Sequence, residues 1–384
     1  MTHTNFTIDI VDNASDFAAM RDEWTELLAS SSSDCLFLTW EWLHTWWIHF
    51  ANHRRLFIVT VRSESQLVAI APLTSRRIWV GPLAVPILEF AGTGTIGSDY
   101  LDVIVRQTCE TEALDALTGF LADKATTMRL PRISESSGLA TTLGTALSGQ
   151  GWECAKVATE VCPFIDLSSR SWEDYLASLG PSHRYNFKRR LKNLTRDYDV
   201  RIRYAESDDD RREALRQVVN LHLQRWTPRG GSDAFDSAGL VAFHDDLSQL
   251  ARERGWLRMM VITLDGRPAA AFYGFRYRDR FLFYQSGFDP AFVRSSVGLV
   301  MVGLTIRDAI GEGASEYDML HGDESYKFLW TKTVRQLIRL DVYPPGRLGR
   351  MHSNAARVTA GAKRFAKRIL RVEPATTPLA GIQS

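Results

Sequence analysis

Apolar and polar positions along this chain keep to two periods, and the two halves of the sequence run through them in the same order. In NFTIDIVD the alternation of Phe6, Ile8 and Ile10 predicts a strand. Ser15 then precedes Phe17, Met20, Trp24, Leu27 and Leu28 at helical spacing, and WEWLHTWWIHF predicts a second helix. LFIVTVRS and QLVAIAPLTSRRIWV read as a strand pair turning at Ser63 to Ser65, and a third strand is expected from Asp99. Helix EALDALTGFLADKA, strand MRLPRIS, helix GLATTLGTALSGQG and strand WECAKVATEVCPFIDL complete the half, the last helix stopping at its glycines.

The second half repeats the series. Strand DVRIRYAE leads into DDDRREALRQVVNLHLQRW, whose acidic first turn suits a helix N-terminus, and a second helix runs from Ala238 to Arg254. LRMMVITLDGRPAAAFYGFRY is a hairpin turning at Asp265-Gly266, and FLFYQSGFD is a third strand. Helix GLVMVGLTIRDAIGEG, strand YDMLHG, helix SYKFLWTKTV and strand LIRLDVY follow. Both halves thus predict strand, two helices, three strands, helix, strand, helix, strand. A duplicated α/β domain is the expectation, and 384 residues are too many for one ordinary core. The expected units are an N-terminal domain over 1–168, a basic helical linker over 169–198, a C-terminal domain over 199–345 and a basic amphipathic tail over 346–384.

Composition narrows the class. With 45% apolar and 24% charged residues and a net charge of +1, the chain reads as a soluble globular protein with no global field for nucleic acid or membrane. Cys35, Cys109, Cys154 and Cys162 lack metal-ligand spacing, so free thiols in a reducing cytoplasm and no metal are expected. MTHTNFTIDIVD carries no secretory signal pattern, and VGPLAVPILEFAG, with two prolines, is too short to span a bilayer.

Local charge is another matter. After a capping box at Ser171 and Asp174, the helix following Gly180-Pro181 carries Arg184, Lys188, Arg189, Arg190, Lys192 and Arg196 opposite Phe187, Leu191, Leu194 and Tyr198. It reads either as a solvated face or as an anion-binding wall, with Arg184 and Asn186 near its positive end and Arg189 on the same wall. The segment from Gly346 to Val372 has eight Lys/Arg and no acid, with Val358, Ala362, Phe365 and Ile369 as a stripe. It reads as a helix packed on the body, or one docking on an anionic membrane face, a lipid-phosphate or an RNA-like acceptor.

Three segments carry candidate chemistry. Ser296-Val297-Gly298 opens a helix after a long strand, where free backbone N–H groups can accept phosphate or serve an ordinary N-cap. YDMLHGDESYKFLWT puts His321, Asp323, Tyr326 and Lys327 at a strand's C-terminal end, where open α/β sheets place ligands. His321 suits a general base, Asp323 its orienting partner or substitute, Tyr326 a proton donor and Lys327 a charge-balancing cation. GSDYLDV offers Asp99 and Tyr100 as acceptor contacts or as a plain turn and strand start. Trp40, Trp42, Trp46 and Trp47 could stack on sugar rings, but a core helix of large aromatics is the better reading.

LDGRPAAAFYGFRYRDRFLFYQSGFDPAF, SSVGLVMVGLTIRDAI and EYDMLHGDESYKFLWT resemble the acetyltransferase domain of the CelD-like group of the GCN5-related N-acetyltransferase (GNAT) superfamily. FLTWEWLHTWWIHF, LVAIAPL and SDYLDV resemble the matching N-terminal parts, so the likeness spans about Phe6 to Tyr343. The group is similar to the Fem-type aminoacyl transferases, which pair two such domains. The resemblance implies two tandem GNAT-like domains, the first degenerate and on the acceptor side. It also implies acyl transfer from an acyl-CoA thioester to an amine or hydroxyl of a sugar or lipid-linked precursor of envelope or exopolysaccharide. Phe283 to Gly287, Ser286 among them, would flank the thioester, with Arg294, Ser296 and Gly298 at the carrier's phosphates. Val297 stands where the superfamily loop has its first glycine, and Fem-type relatives use aminoacyl-tRNA. Acyl-CoA, an acyl-carrier protein and aminoacyl-tRNA therefore stand as carriers, nucleic acid entering only with the last. A cytoplasmic protein, peripheral at the inner membrane face or on polysaccharide-synthesis machinery through its tail, is the expected setting. A Fem-type ligase and a non-catalytic scaffold are the rival readings.

Overall fold

The computed structural model describes residues 6–226, Phe235 and 237–370, with side chains as far as Val358 in the closing helix. The first half runs β1 (Phe6–Val11), α1 (Ala14–Ala19), α2 (Arg21–Ala29), α3 (Trp40–Phe50), β2 (Arg55–Ser63), β3 (Gln66–Val80), β4 (Leu83–Phe90) and β5 (Ile104–Val105). It continues through α4 (Glu110–Lys124), β6 (Thr127–Ser134), α5 (Leu139–Gly149) and β7 (Glu153–Asp166). Then come α6 (Trp172–Ser178), α7 (Pro181–Asp197), β8 (Val200–Tyr204), α8 (Asp208–Trp226), α9 (Ala238–Glu253), β9 (Leu257–Leu264), β10 (Arg267–Tyr277) and β11 (Arg280–Phe288). The chain closes with α10 (Val297–Gly311), β12 (Glu316–Asp318), β13 (Val334–Tyr343) and α11 (Arg347–Leu370).

The strands form one sheet in the order β1-β2-β3-β4-β6-β13-β7-β12-β11-β10-β9-β8, with β5 beside β3. Read from its two ends, this order is the same twice. Each half is a four-stranded antiparallel meander whose fourth strand takes a parallel neighbour, β6 on β4 and β12 on β11. The duplication is therefore structural, and the halves exchange their last strands. β13 lies between β6 and β7, while the end of β7 pairs with β12. The expected boundaries do not follow this pairing, since the last strand of the second half is built into the sheet of the first.

Two elements differ from expectation. The third strand of the first half is Leu83–Phe90, not a strand from Asp99; only Ile104–Val105 is extended there. Pro82 just before it and Pro86 within it hid it, yet β4 tolerates Pro86 in a stretch where its one strand neighbour is β3. The helix expected over SYKFLWTKTV is a single 3₁₀ turn at Lys327–Leu329. Thr331 stops it by donating to the Phe164 carbonyl at 2.6 Å while accepting from the Thr333 N–H.

One continuous core unites the halves, with α3 on α9 and Trp42 edge-on to Phe243, Phe275 and Tyr284. Trp40, Trp42 and Trp46 are buried, as core tryptophans should be. Buried Glu41 joins Arg21 of the first half to Arg254 of the second. On the other face of the second half, α6, α7 and α10 cover Ile165, Phe272, Phe281 and Tyr317. The basic helix is thus part of that half's packing: Phe187 sits against Gly303 and Trp330, and Ser171 and Asp174 form the expected capping box. In the tail, Val358 is exposed, while Ala362, Phe365 and Ile369 of the expected stripe lie outside the described side chains.

A candidate acyl-transfer site in the strand wedge

β11 and β12 pair only from Arg280 to Leu282 and from Glu316 to Asp318. Beyond that point β11 continues to Phe288 with β10 as its one neighbour, and a bulge at Tyr284 bends it. The other chain turns away: Leu320 and Gly322 take positive φ, and Met319 and Gly322 donate their N–H groups to Pro163 and Val161. A wedge opens between them, leaving the β11 edge without a strand partner. It holds a cavity of about 460 Å³ bounded by Phe283 to Ser286, Met319 to His321 and, from the first half, Gly94, Thr95, Gly97 and Arg132.

The first-half wall is held by aromatic donors. Trp42 Nε1 donates to Ser98 Oγ at 2.8 Å, Trp46 Nε1 to the Thr93 carbonyl at 3.0 Å, and the Tyr284 hydroxyl to the Ile96 carbonyl. Gly97, at φ +69°, lies so close to His321 that a Cβ there would stand 3.1 Å from Cε1.

His321 reaches this wall through Asp99. One carboxylate oxygen, Oδ2, accepts from the His321 backbone N–H at 2.9 Å and stands 3.0 Å from Nδ1. The other faces Arg132 at 3.3 Å, and Arg132 also pairs with Glu160. Asp99 is 0% exposed. Burial pushes its carboxyl up, but His321 and Arg132 outweigh it and hold the group below the usual carboxylate range. With Nδ1 engaged, Nε2 is the nitrogen left for the cavity that His321 lines.

The expected partner of His321, Asp323, is exposed and makes no bond to it; the orienting carboxylate comes from the other half. Lys327 is 4% exposed, with Nζ 2.6 Å from the His321 carbonyl, 3.2 Å from the Leu320 carbonyl and 3.0 Å from Glu324. It therefore ties down the turn that carries His321 rather than standing free as a charge-balancing cation. Tyr326 borders the cavity, and burial raises its phenol, which stays protonated. Tyr100 does not face an acceptor. Its hydroxyl donates to Asp318 Oδ2 at 2.7 Å inside the junction of the halves, where Asp318 also accepts from Leu320 N–H and faces Arg335.

Around Gly298 a second, largely apolar cavity of about 150 Å³ adjoins the first, and both are bordered by Arg225, Ser286 and Tyr326. Val293, Val297, Met301, Leu329 and Trp330 contribute its apolar wall. Ser296 is left-handed at φ +56° and makes no side-chain cap, while Arg294 lies exposed just before it. The helix start and the His321 corner thus border two adjoining cavities that share Arg225, Ser286 and Tyr326 as lining. Arg184, Asn186 and Arg189 do not reach it: Arg184 donates to the Ala177 carbonyl, and Arg189 to Asn186. Arg190 instead anchors the α10 entry by donating to the Arg294 carbonyl at 3.0 Å. Arg132, His222 and Arg225 escaped the sequence reading, each on an ordinary strand or helix. Burial lowers His222 to about 4, so it is a neutral imidazole beside the Ser286 carbonyl.

Comparison with known proteins bears on this geometry. Residues 181–328 match the model of the acetyltransferase (GNAT) domain, from α7 through the His321 corner. That stretch is a GNAT domain. The chain is accordingly an N-acyltransferase in reaction class. Among solved structures it is similar to FemX, at 12% identity and a TM-score of 0.59 over 83% of this chain and 95% of that one. It is also similar to a conserved protein of unknown function from Bacteroides thetaiotaomicron, with 12% identity, a TM-score of 0.54, and coverage of 88% of this chain and all of that one. A third is the C-terminal domain of a putative lysylphosphatidylglycerol synthetase from Agrobacterium fabrum, at 10% identity and 0.51 over 90% and 96%. At these identities the likeness is one of fold. No curated protein matches significantly. Among the described residues, no helix is long and apolar enough to cross a membrane.

Proposed function

We propose that the chain moves an acyl group from a thioester carrier to an amine, or to a hydroxyl, in the wedge between β11 and β12. The observation that carries this reading is the Asp99–His321 pair at the edge of an unpaired strand. Backbone N–H groups of Phe283 to Gly287 polarise the thioester carbonyl, as preorganised donors stabilise an oxyanion. The carrier's apolar arm lies in the cavity beside Gly298 and Ser286, and its phosphates meet the α10 N-terminus near Arg294 and Ser296. His321 Nε2 takes the proton as the acceptor nitrogen bonds to the acyl carbon, and Asp99 balances the imidazolium. When the carbon–sulfur bond breaks, the protonated Tyr326 phenol supplies the thiolate's proton. Lys327 positions the corner.

The acceptor we propose is an amino sugar or lipid-linked sugar of an envelope or exopolysaccharide precursor, in line with the CelD-like resemblance and a cytoplasmic setting. It enters along Gly94 to Gly97 and Arg132, where the cavity is open and polar. Val297 at the first glycine position and the Fem-like fold favour a second carrier, aminoacyl-tRNA. One experiment separates the two. Coenzyme A thioesters should raise the melting temperature and release free thiol with an amino-sugar acceptor, and His321→Ala should abolish release while keeping the melting shift. Release of amino acid from charged tRNA, with no response to coenzyme A thioesters, would move the assignment to the ligase. Neither response would leave a scaffold.

A further inference from the structure

Among the described residues, the β3–β4 hairpin does something that no other strand pair in the sheet does. Pairing with β2 ends at Ser75, and pairing with β6 begins only at Ile87. Residues 76–86 therefore form a two-stranded ribbon with no other strand on either side. Exposed two-stranded ribbons ordinarily carry polar tips. This one reads RRIWVGPLAVP: two arginines at its base, no acid, and Ile78, Trp79, Val80, Leu83 and Val85 toward and around the turn. Trp79 is 76% exposed.

The ribbon does not stand alone. Ile78, Trp79 and Val80 face Ala355 and Ala356 of α11 across a groove of about 510 Å³, backed by Arg76, Arg129 and Arg339. Glu89 and Asp341 pair with these arginines, two carboxylates against three guanidinium groups. Along α11, Leu348, Met351, Ala355 and Val358 fall at helical spacing on one stripe, and Leu348, Met351 and Val358 are exposed. Arg347 and Arg350 flank that stripe, and the stretch 346–358 contains no acid.

We propose that the ribbon tip and the first turns of α11 form one face that seats on an anionic phospholipid bilayer. The apolar tip, with Trp79 at headgroup depth, enters the interface. Arg77, Arg347 and Arg350 meet lipid phosphates around it. An acidic protein partner would satisfy the cations but not the bare tryptophan-tipped ribbon, and an apolar partner would leave the arginines unanswered. A bilayer interface supplies both layers at the right order of depth. This face is separate from the wedge, and the inference is independent of the acyl-transfer reading.

The test is flotation of the full-length protein with phosphatidylcholine vesicles and with vesicles containing an equal share of phosphatidylglycerol. Binding is expected to the mixed vesicles, falling as salt is raised. Trp79→Ala with Leu83→Ala should weaken it by about tenfold or more, with the circular dichroism spectrum and melting temperature unchanged because both side chains are exposed. Brominated lipid should quench the wild-type tryptophan signal, and Trp79→Phe should remove that quenching. His321→Ala should float as the wild type does, which keeps the outcome distinct from any failure of the catalytic reading. The proposal is overturned if the protein ignores anionic vesicles, or if the double variant floats undiminished. It is also overturned if the ribbon substitutions instead turn a dimer into a monomer, which would make the face a contact between copies.

Discussion

Replacing Asp99 by Asn tests the site with almost no change of shape. The amide can still accept from the His321 backbone N–H, now 2.9 Å from Oδ2, but it carries no charge to balance an imidazolium. Because Oδ2 serves both that N–H and Nδ1, the amide oxygen in its place turns the NH₂ toward Arg132, a donor against a guanidinium; the opposite setting gives up the backbone bond and turns the NH₂ toward Nδ1, favouring the tautomer with the proton on Nε2. A buried hydrogen bond to a charged group contributes about 1.5–3 kcal/mol, and in either setting the misplaced NH₂ adds to that loss. A total of about 3–5 kcal/mol is a decrease of roughly 10²–10⁴ in kcat. Asp99 does not line the cavity, so KM for the thioester should hardly move. The measurement is thiol release against thioester concentration for the wild type, Asp99→Asn, His321→Ala and the double variant. Residues acting as one unit are non-additive, so the double variant should be no slower than His321→Ala alone. A kcat for Asp99→Asn within about threefold of wild type, well short of even one 1.36 kcal/mol step of tenfold, would remove the pair from the mechanism.

Three further outcomes follow from the same geometry. Lys327→Met strips the ammonium from the Leu320 and His321 carbonyls; it should cost about 2–4 kcal/mol in denaturant unfolding, and a kcat loss with stability intact would instead make Lys327 a participant in the chemistry. Gly97→Ala forces a Cβ to 3.1 Å from His321 Cε1 at φ +69°; about 1 kcal/mol of stability and a larger share of kcat should be lost, with wild-type kcat refuting the close approach. Burial raises Asp318 to about 6, so the folded state holds its proton where the unfolded chain, near the ordinary value of about 3.9, has released it. Stability should therefore fall as pH rises from about 4 to 6, by about 3 kcal/mol in all. Asp318→Asn cannot titrate, and unfolding curves of the two proteins that run parallel across that window would refute the assignment.

The duplicated order of elements was legible because it rests on periodicity, which local sequence carries. The capping box at Ser171 and the Asp265-Gly266 hairpin were legible for the same reason, each being settled within a few residues. What escaped depends on contacts far along the chain. YDMLHGDESYKFLWT announced His321 but suggested Asp323 as its partner, the nearest carboxylate in sequence. The true partner, Asp99, is 222 residues away, and a segment read as a strand start gave no sign that its backbone crosses to the other half. Lys327 looked reactive because a buried lysine is costly; three oxygen partners within a hydrogen-bonded corner meet that cost. Likewise LAVPILEF was hidden by Pro86 within it and Pro82 just before it, and Pro86 lies where the strand has a neighbour on one side only.

The exchange of last strands explains why the pair Asp99–His321 can be held across two halves at all. β12 is three residues long and pairs with β11 on one side and the end of β7 on the other. Without β7, supplied by the first half, its short ladder would carry the His321 corner on one flank only, and Met319 and Gly322 would lose the Pro163 and Val161 carbonyls that pull the chain away from β11. The wedge is therefore made by the first half's strand, and not merely walled by its loop. β13 in turn fills the place between β6 and β7, so neither half can move relative to the other without breaking ladders on both sides of the centre. Two GNAT-like units joined by a flexible tether would let a carboxylate and an imidazole drift apart; a continuous sheet fixes their separation to hydrogen-bond length. The first half's own position equivalent to the wedge, beyond the short pairing of β4 with β6, is closed by the segment carrying buried Ile96, Leu101 and Val103. That same segment carries Asp99 outward to His321, so filling one potential site is the structural means by which the other is completed.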